Sequence, residues 1–314
     1  MKELVDQIKA EYEVFVKNAE AQVEKGNKAA GARARKAALN LMKAAMVCSD
    51  FVTTVSPSYA SELEYDFFAF GLSGVIKAAK SKMTGVINGI DYDYFSPERG
   101  GDIYASYNAE NVESGKAANK RALRRELGLP DVDRPTIVMI TRLTQGKGID
   151  LVLHVLEELL SLNLEIIVLG TGENEYEKKL LELSRKHENL VAIIKFDRVF
   201  SKKLYAGADI FLMPSKSEPC GLAQMVACSY GTVPIVRSVG GLYDSIKPYG
   251  IDGANGFRFD NYNAHELLYT VKKALMVYEN KEKWKKLVSS AKASDFSWKN
   301  SASKYIEIYD NLLN

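Results

Sequence analysis

The chain has 314 residues, of which 46% are apolar and 26% charged, and its formal net charge is +2. That apolar content suffices for one large or two ordinary buried cores, and the balanced charge excludes an overall bias toward nucleic acid or anionic membrane. No apolar run reaches membrane-spanning length, and Met1-Lys2-Glu3-Leu4-Val5-Asp6 lacks a signal peptide's apolar core, so a soluble cytoplasmic protein is expected. The odd set Cys48, Cys220 and Cys228 fits reduced thiols better than a disulfide framework. His154, His187 and His265 have no metal-ligand spacing, so neither a metal site nor a cofactor is expected.

In chain order, Leu4, Ile8, Tyr12, Phe15, Ala19 and Val23 recur at helical spacing, and Gly26 punctuates before a basic run. Residues 1–38 therefore read as a helical hairpin. Residues Phe51 to Val55 read as a strand running into a helix, a strand with no complete sheet before it and no expected neighbours. From Pro135 the chain alternates. Strands are expected at 135–140, 164–169, 190–196, 209–213 and 233–237, with helices at 149–160, 173–187, 201–206 and from Leu222 between them. Continuous Ile, Val and Leu in the strands, with amphipathic helices between, imply a Rossmann-like, doubly wound parallel α/β sheet. Three more helices follow, around 267–278, 284–291 and 301–313.

The most informative run is Glu218-Pro219-Cys220-Gly221-Leu222, between the strand ending near Met213 and the next helix. It puts an acid and a glycine-opened helix start at the carboxyl end of a strand, where open α/β sheets bind ligands. The run continues through Tyr230-Gly231-Thr232-Val233-Pro234 to Gly240-Gly241-Leu242. With Ser56-Pro57, Asn88-Gly89-Ile90-Asp91, Asn255-Gly256-Phe257 and Asp295-Phe296-Ser297-Trp298, it resembles the bacterial glycogen and starch synthases from about residue 39 onward. These are retaining glucosyltransferases of the two-domain GT-B fold.

The resemblance implies a donor, ADP-glucose with UDP-glucose as the alternative, and an α-1,4-glucan acceptor. Growing negative charge on a departing diphosphate calls for fixed cations, and the resemblance assigns Arg142 and Lys147 to that task. Read alone, they are equally surface charges of a βα loop. Glu218 is implied to contact the donor glucose, against a plain reading as an acid satisfying helix-start amides. Amides near Cys220 and Gly221 would bond sugar hydroxyls or phosphate. Gly240 and Gly241 would let the backbone approach the diphosphate, or simply form a tight turn. Phe196, expected at the end of its strand, stands where the family usually has Tyr stacked on the donor base; a ring face suffices for that, and a strand-end core residue is the alternative. Asn88 matches a hinge Asn facing the donor sugar, or makes an Asn-Gly turn.

Departures from the family are local: Ser217 for Phe, Ala223 for Thr, Val239 for Thr. The family's N-terminal lysine-glycine-glycine loop and active-site His and Asp find no match in this sequence. The expected division is therefore 1–38 as a helical segment, 39–90 as a remnant of the GT-B N-terminal domain and hinge, and 91–314 as the nucleotide-sugar domain. Lys25-Gly26-Asn27-Lys28 through Arg33-Ala34-Arg35-Lys36-Ala37 resembles the start of bacterial histone H1-like proteins, without their lysine-rich tail. The functional expectations are a synthase donor domain without turnover on its own, then a non-catalytic nucleotide-sugar binding module, then a nucleoid-associated protein. DNA binding would be weak, and self-association through exposed apolar surface is expected.

Overall fold

The computed structural model describes residues 2–130 and 132–313; Met1 and Asn314, the outer limits of the expected segments, and Asp131 lie outside them. The described residues form two compact units, one of residues 2–54 with 60–85, the other of residues 55–59 with 86–130 and 132–313.

In the first unit, helices Lys2–Lys25 and Lys28–Cys48 form a hairpin as expected, but the second helix runs on ten residues past the expected limit at 38. Gly26 turns at φ 63°, and the Asn27 side chain caps the second helix by accepting from the Ala30 amide. Bonds from Arg33 to Asn18 and from Asn40 to Glu11 give one antiparallel register. The helices approach closely because Ala30, Gly31, Ala34, Ala37 and Ala44 bury little volume, and a Cβ at residue 31 would collide with the Gln22 side chain. Strand β1 (Val52–Thr54) is not left without a neighbour as the sequence led us to expect: it pairs in parallel with β2 (Met83–Gly85). A parallel return needs a crossover, which short helices including Asp66–Ala69 and Ser73–Ala79 supply. A three-residue β2 offers too little pattern to be read beforehand.

The second unit is a six-stranded, wholly parallel sheet in the order β5-β4-β3-β6-β7-β8, with β3 Thr136–Ile140, β4 Glu165–Leu169, β5 Leu190–Ile193, β6 Ile210–Met213, β7 Val233–Arg237 and β8 Phe257–Phe259. The doubly wound α/β reading stands. Strands β4 and β6 are buried along their whole length, as covering by helices on both faces requires. Pro234 sits inside β7 because β8 pairs only from Ile235 onward, so its missing N–H interrupts no ladder there. The chain turns back between β3 and β6, which opens a crevice at their carboxyl ends.

Three local readings differ. Strand β5 stops at Ile193, short of Phe196, because it is an edge strand whose single partner, β4, ends at Leu169. The helix expected from Leu222 runs Ala223–Ser229, since Gly221 stands at φ 69° and Leu222 serves as the cap. The helix expected over 149–160 is two, Ile149–His154 and Leu156–Leu160, broken at Val155. Helix Trp298–Leu313 returns to the start of the unit, where Ser301 donates to the Ile87 carbonyl at 2.6 Å and Ile90 pairs with Ser297. Gly89 has no room for a Cβ against the backbone of Ser297 and Trp298, which fixes Asn88 beside it. Among the described residues no helix is long and apolar enough to cross a membrane.

Candidate functional site

The crevice between β3 and β6 is walled by the loops that follow those strands. After β3, Thr144 leads into a tight turn, Gln145–Lys147, closed by Gly148 at φ 75°. A side chain at 148 would run into the Pro214 carbonyl, so the two loops approach as only glycine permits. The Lys216 amide donates to the Gly146 carbonyl at 3.0 Å and ties them.

This places the Lys147 ammonium 2.6 Å from Glu218 Oε2. Ser215 Oγ donates to the same oxygen at 3.0 Å. Glu218 is buried, and its carboxylate is held by side chains, where the plain reading of the sequence had it serve backbone amides. Arg237, at the end of β7, stiffens this loop by donating to the Ser215 and Lys216 carbonyls at 2.9 and 2.5 Å.

Beyond Glu218 the loop packs against the start of the helix that follows β7. Gly241 donates to the Glu218 carbonyl at 3.0 Å, and a Cβ on Gly241 would strike the Cys220 backbone. Gly240 takes φ 45° at the start of helix Gly240–Ser245. Gly221 faces the fully buried Gln224, whose side-chain amide donates to the Cys220 and Gly221 carbonyls. Burial raises the Cys220 thiol pKa, and the Asn88 backbone amide pulls the other way, so Asn88 sits against the loop. From the 55–59 segment, Ser56 donates to the Pro219 carbonyl at 2.6 Å, and Ser58 binds Asp244 through both its amide and its hydroxyl.

A second cleft, of about 200 Å³, lies between the loops after β3, β4 and β5. Thr141, Arg142, Gly170, Phe196 and Arg198 are among its lining. Its floor is tight: side chains at Gly170 and Gly172 would meet the Thr141 and Leu143 carbonyls. Phe196 is 83% exposed at its edge, so it is not a core residue and its ring face is open. A larger cavity, about 510 Å³, opens near Pro135 and Leu162 at the amino ends of β3 and β4. The crevice at the carboxyl ends is the better candidate, because the convergent charged groups and close-approach glycines are there.

All nine residues singled out in the sequence thus lie at this end of the sheet, or touch it. Arg142 and Phe196 share one cleft; Lys147, Glu218, Cys220, Gly221, Gly240, Gly241 and Asn88 surround the other. Sequence reasoning did not identify Ser215, Arg237, Ser56 and Asp244 as structural partners: Ser56 stands in a recognised motif and Arg237 within the run that leads to Gly240, but nothing local marks Ser215 or Asp244. Among the described residues no group of three or more His, Cys, Asp or Glu side chains could hold a metal ion.

Residues 119–292 match the family described as glycosyl transferases group 1, and residues 2–47 match the histone H1-like protein Hc1. A glycogen synthase of Bacillus cereus is 42% identical over 279 residues, covering 88% of this chain and 58% of its own. That of Desulfitobacterium hafniense is 44% identical, covering 87% and 57%. The chain thus spans somewhat over half the length of these relatives. The catalytic domain of starch synthase IV from Arabidopsis thaliana, solved bound to ADP and acarbose, superposes with a TM-score of 0.80 at 34% identity, over 86% of this chain and 57% of that one. Anabaena HepE in complex with UDP superposes at 0.61 with 18% identity, over 88% of this chain and 67% of that one, a likeness of fold alone.

Proposed function

From membership of the group 1 glycosyl transferases, the family to which this chain belongs, we propose that residues 91–314 are the donor-binding domain of a glycogen or starch synthase. The donor is ADP-glucose, and the ancestral reaction adds glucose to the non-reducing end of an α-1,4-glucan. The observation that carries the reading is the 2.6 Å pair of Lys147 and Glu218 in the crevice beside β3 and β6: a cation for the diphosphate and an acid for the sugar stand side by side.

In this reading Arg142 and Lys147 stabilise charge growing on the departing diphosphate, the largest single term in many transfer reactions. Glu218 holds the glucose. Amides at Cys220 and Gly221 and the approach at Gly240 and Gly241 serve sugar hydroxyls and phosphate. Phe196 stacks on the base in its cleft, and Asn88 faces the sugar. Residues 39–90 correspond to the end of the partner domain and the hinge, residues 1–38 to a separate helical segment, and the location is cytoplasmic.

The 314-residue chain by itself binds donor and does not elongate glucan. Turnover needs an acceptor hydroxyl held against the anomeric carbon in a closed cleft, positioning worth up to ~7 to 11 kcal/mol. The test incubates the purified chain with labelled ADP-glucose and glycogen and, separately, titrates it with ADP and UDP by calorimetry. Binding of ADP without label in polymer is the expected result. Label in polymer that disappears in Glu218→Ala would refute the inactivity, and no binding of either nucleotide would refute the donor reading.

A further inference from the structure

Tyr262 lies in the loop after β8 and reaches both walls of the crevice. Its hydroxyl faces Asp150 Oδ1 at 2.5 Å and the Gln145 carbonyl at 3.0 Å, the latter belonging to the turn that carries Lys147. Its ring lies 5.6 Å from the Lys216 ammonium and 5.7 Å from the Arg237 guanidinium. Those two residues belong to the other wall: Lys216 is in the loop that carries Glu218, and Arg237 donates to the carbonyls of Ser215 and Lys216. One side chain therefore braces the turn bearing the cation through its hydroxyl, and the loop bearing the acid through its ring face.

Resting on the donor-site reading above, we infer that Tyr262 is a positioning residue for Lys147: its one hydroxyl proton, shared between Asp150 and the Gln145 carbonyl, ties the 145–147 turn to the helix that bears Asp150, so that the ammonium stands over the diphosphate subsite beside Glu218. Without that bond the described residues still hold the turn by its own backbone bonds, Lys147 to Thr144 and Gly148 to Gln145, by the Lys216 amide on Gly146 and by the Lys147–Glu218 pair. Tyr262 touches no donor atom in this scheme. It acts through Lys147 alone.

Two measurements on the full chain test this. Hydrogen exchange of the ligand-free protein reads the turn directly: Tyr262→Phe keeps the ring and removes the hydroxyl, and should speed exchange of the Lys147 and Gly148 amides while leaving the melting temperature nearly unchanged. Asp150→Asn, which weakens the same anchor, should move the same amides. Unchanged exchange at 147 and 148 in both variants overturns the inference, whatever the protein binds. Calorimetric titration with ADP reads the consequence. Tyr262→Phe should weaken binding roughly threefold to tenfold, the fold-change expected for one hydrogen bond, and should have no further effect in a Lys147→Ala background. An equal loss in both backgrounds overturns the inference. Failure of the wild type to bind ADP counts against the donor reading, and the exchange experiment then decides the role of Tyr262.

Discussion

Lys116 offers a sharp test of the packing in the second unit. It lies in helix Val112–Glu126, and its ammonium is enclosed by the carbonyls of Tyr205, Ala206 and Tyr230 and by Thr232 Oγ1, the last at 2.7 Å. Burial lowers its pKa from the ordinary 10.5 to about 7, with Asp209 opposing and Lys120 and Lys292 reinforcing. Between those values the unfolded chain binds a proton that the folded chain does not, so the penalty shrinks as pH rises. Lys116→Met fills the same space without a titrating group. It leaves two of the three carbonyls with a partner, since Thr232 donates to Tyr205 and Tyr107 to Tyr230. Wild type should gain about 2 kcal/mol relative to Lys116→Met between about pH 7 and about pH 9. Urea unfolding followed by tryptophan fluorescence reads this, because Trp284 and Trp298 belong to the same unit as Lys116. Parallel stability curves for the two proteins over that range would mean that the amine stays charged in the fold, with its acceptors outweighing desolvation, and the reasoning would fail.

Removing one partner of the half-buried Lys147–Glu218 pair should be worse than removing both. Lys147→Ala should destabilise by roughly 1 to 3 kcal/mol and Lys147→Ala with Glu218→Gln by less, as thermal unfolding will show. Gly148→Ala forces a side chain against the Pro214 carbonyl at φ 75°, and should lower stability by about 1 to 3 kcal/mol in the same assay. Phe196→Ala should weaken ADP binding by roughly 1 to 3 kcal/mol and Phe196→Tyr should not; equal calorimetric affinities for all three proteins would remove the ring from the base. In the hairpin, the second helix carries Lys28, Arg33, Arg35, Lys36 and Lys43, and the first carries the offsetting acids Glu3, Asp6, Glu11, Glu13, Glu20 and Glu24. A peptide of this hairpin should bind DNA weakly and lose it at physiological salt, and tight binding across a salt series of gel shifts would overturn that.

The repeat of apolar residues along the chain determined the elements of the sheet, because burial on both faces demands continuous Ile, Val and Leu and burial on one helix face demands a period near four. Motifs, and not that repeat, marked the candidate site. Glu218, Gly221 and Gly240-Gly241 are chemically conspicuous at strand ends, and the resemblance they carry led to the family. Tertiary structure alone decided which of them meet. Lys147 and Glu218 are 71 residues apart, Tyr262 and Gln145 are 117, and Ser56 and Pro219 are 163. The first of these contacts follows from strand order, in which β6 returns beside β3, the other two from where loops outside the strands come to rest, and periodicity carries no record of either. The same holds for β1, whose partner is three residues long, and for Phe196, left in the open because the edge strand β5 has a single neighbour that ends before it. Local burial writes itself into adjacent residues, whereas the meeting of loops depends on how crossovers stack the strands.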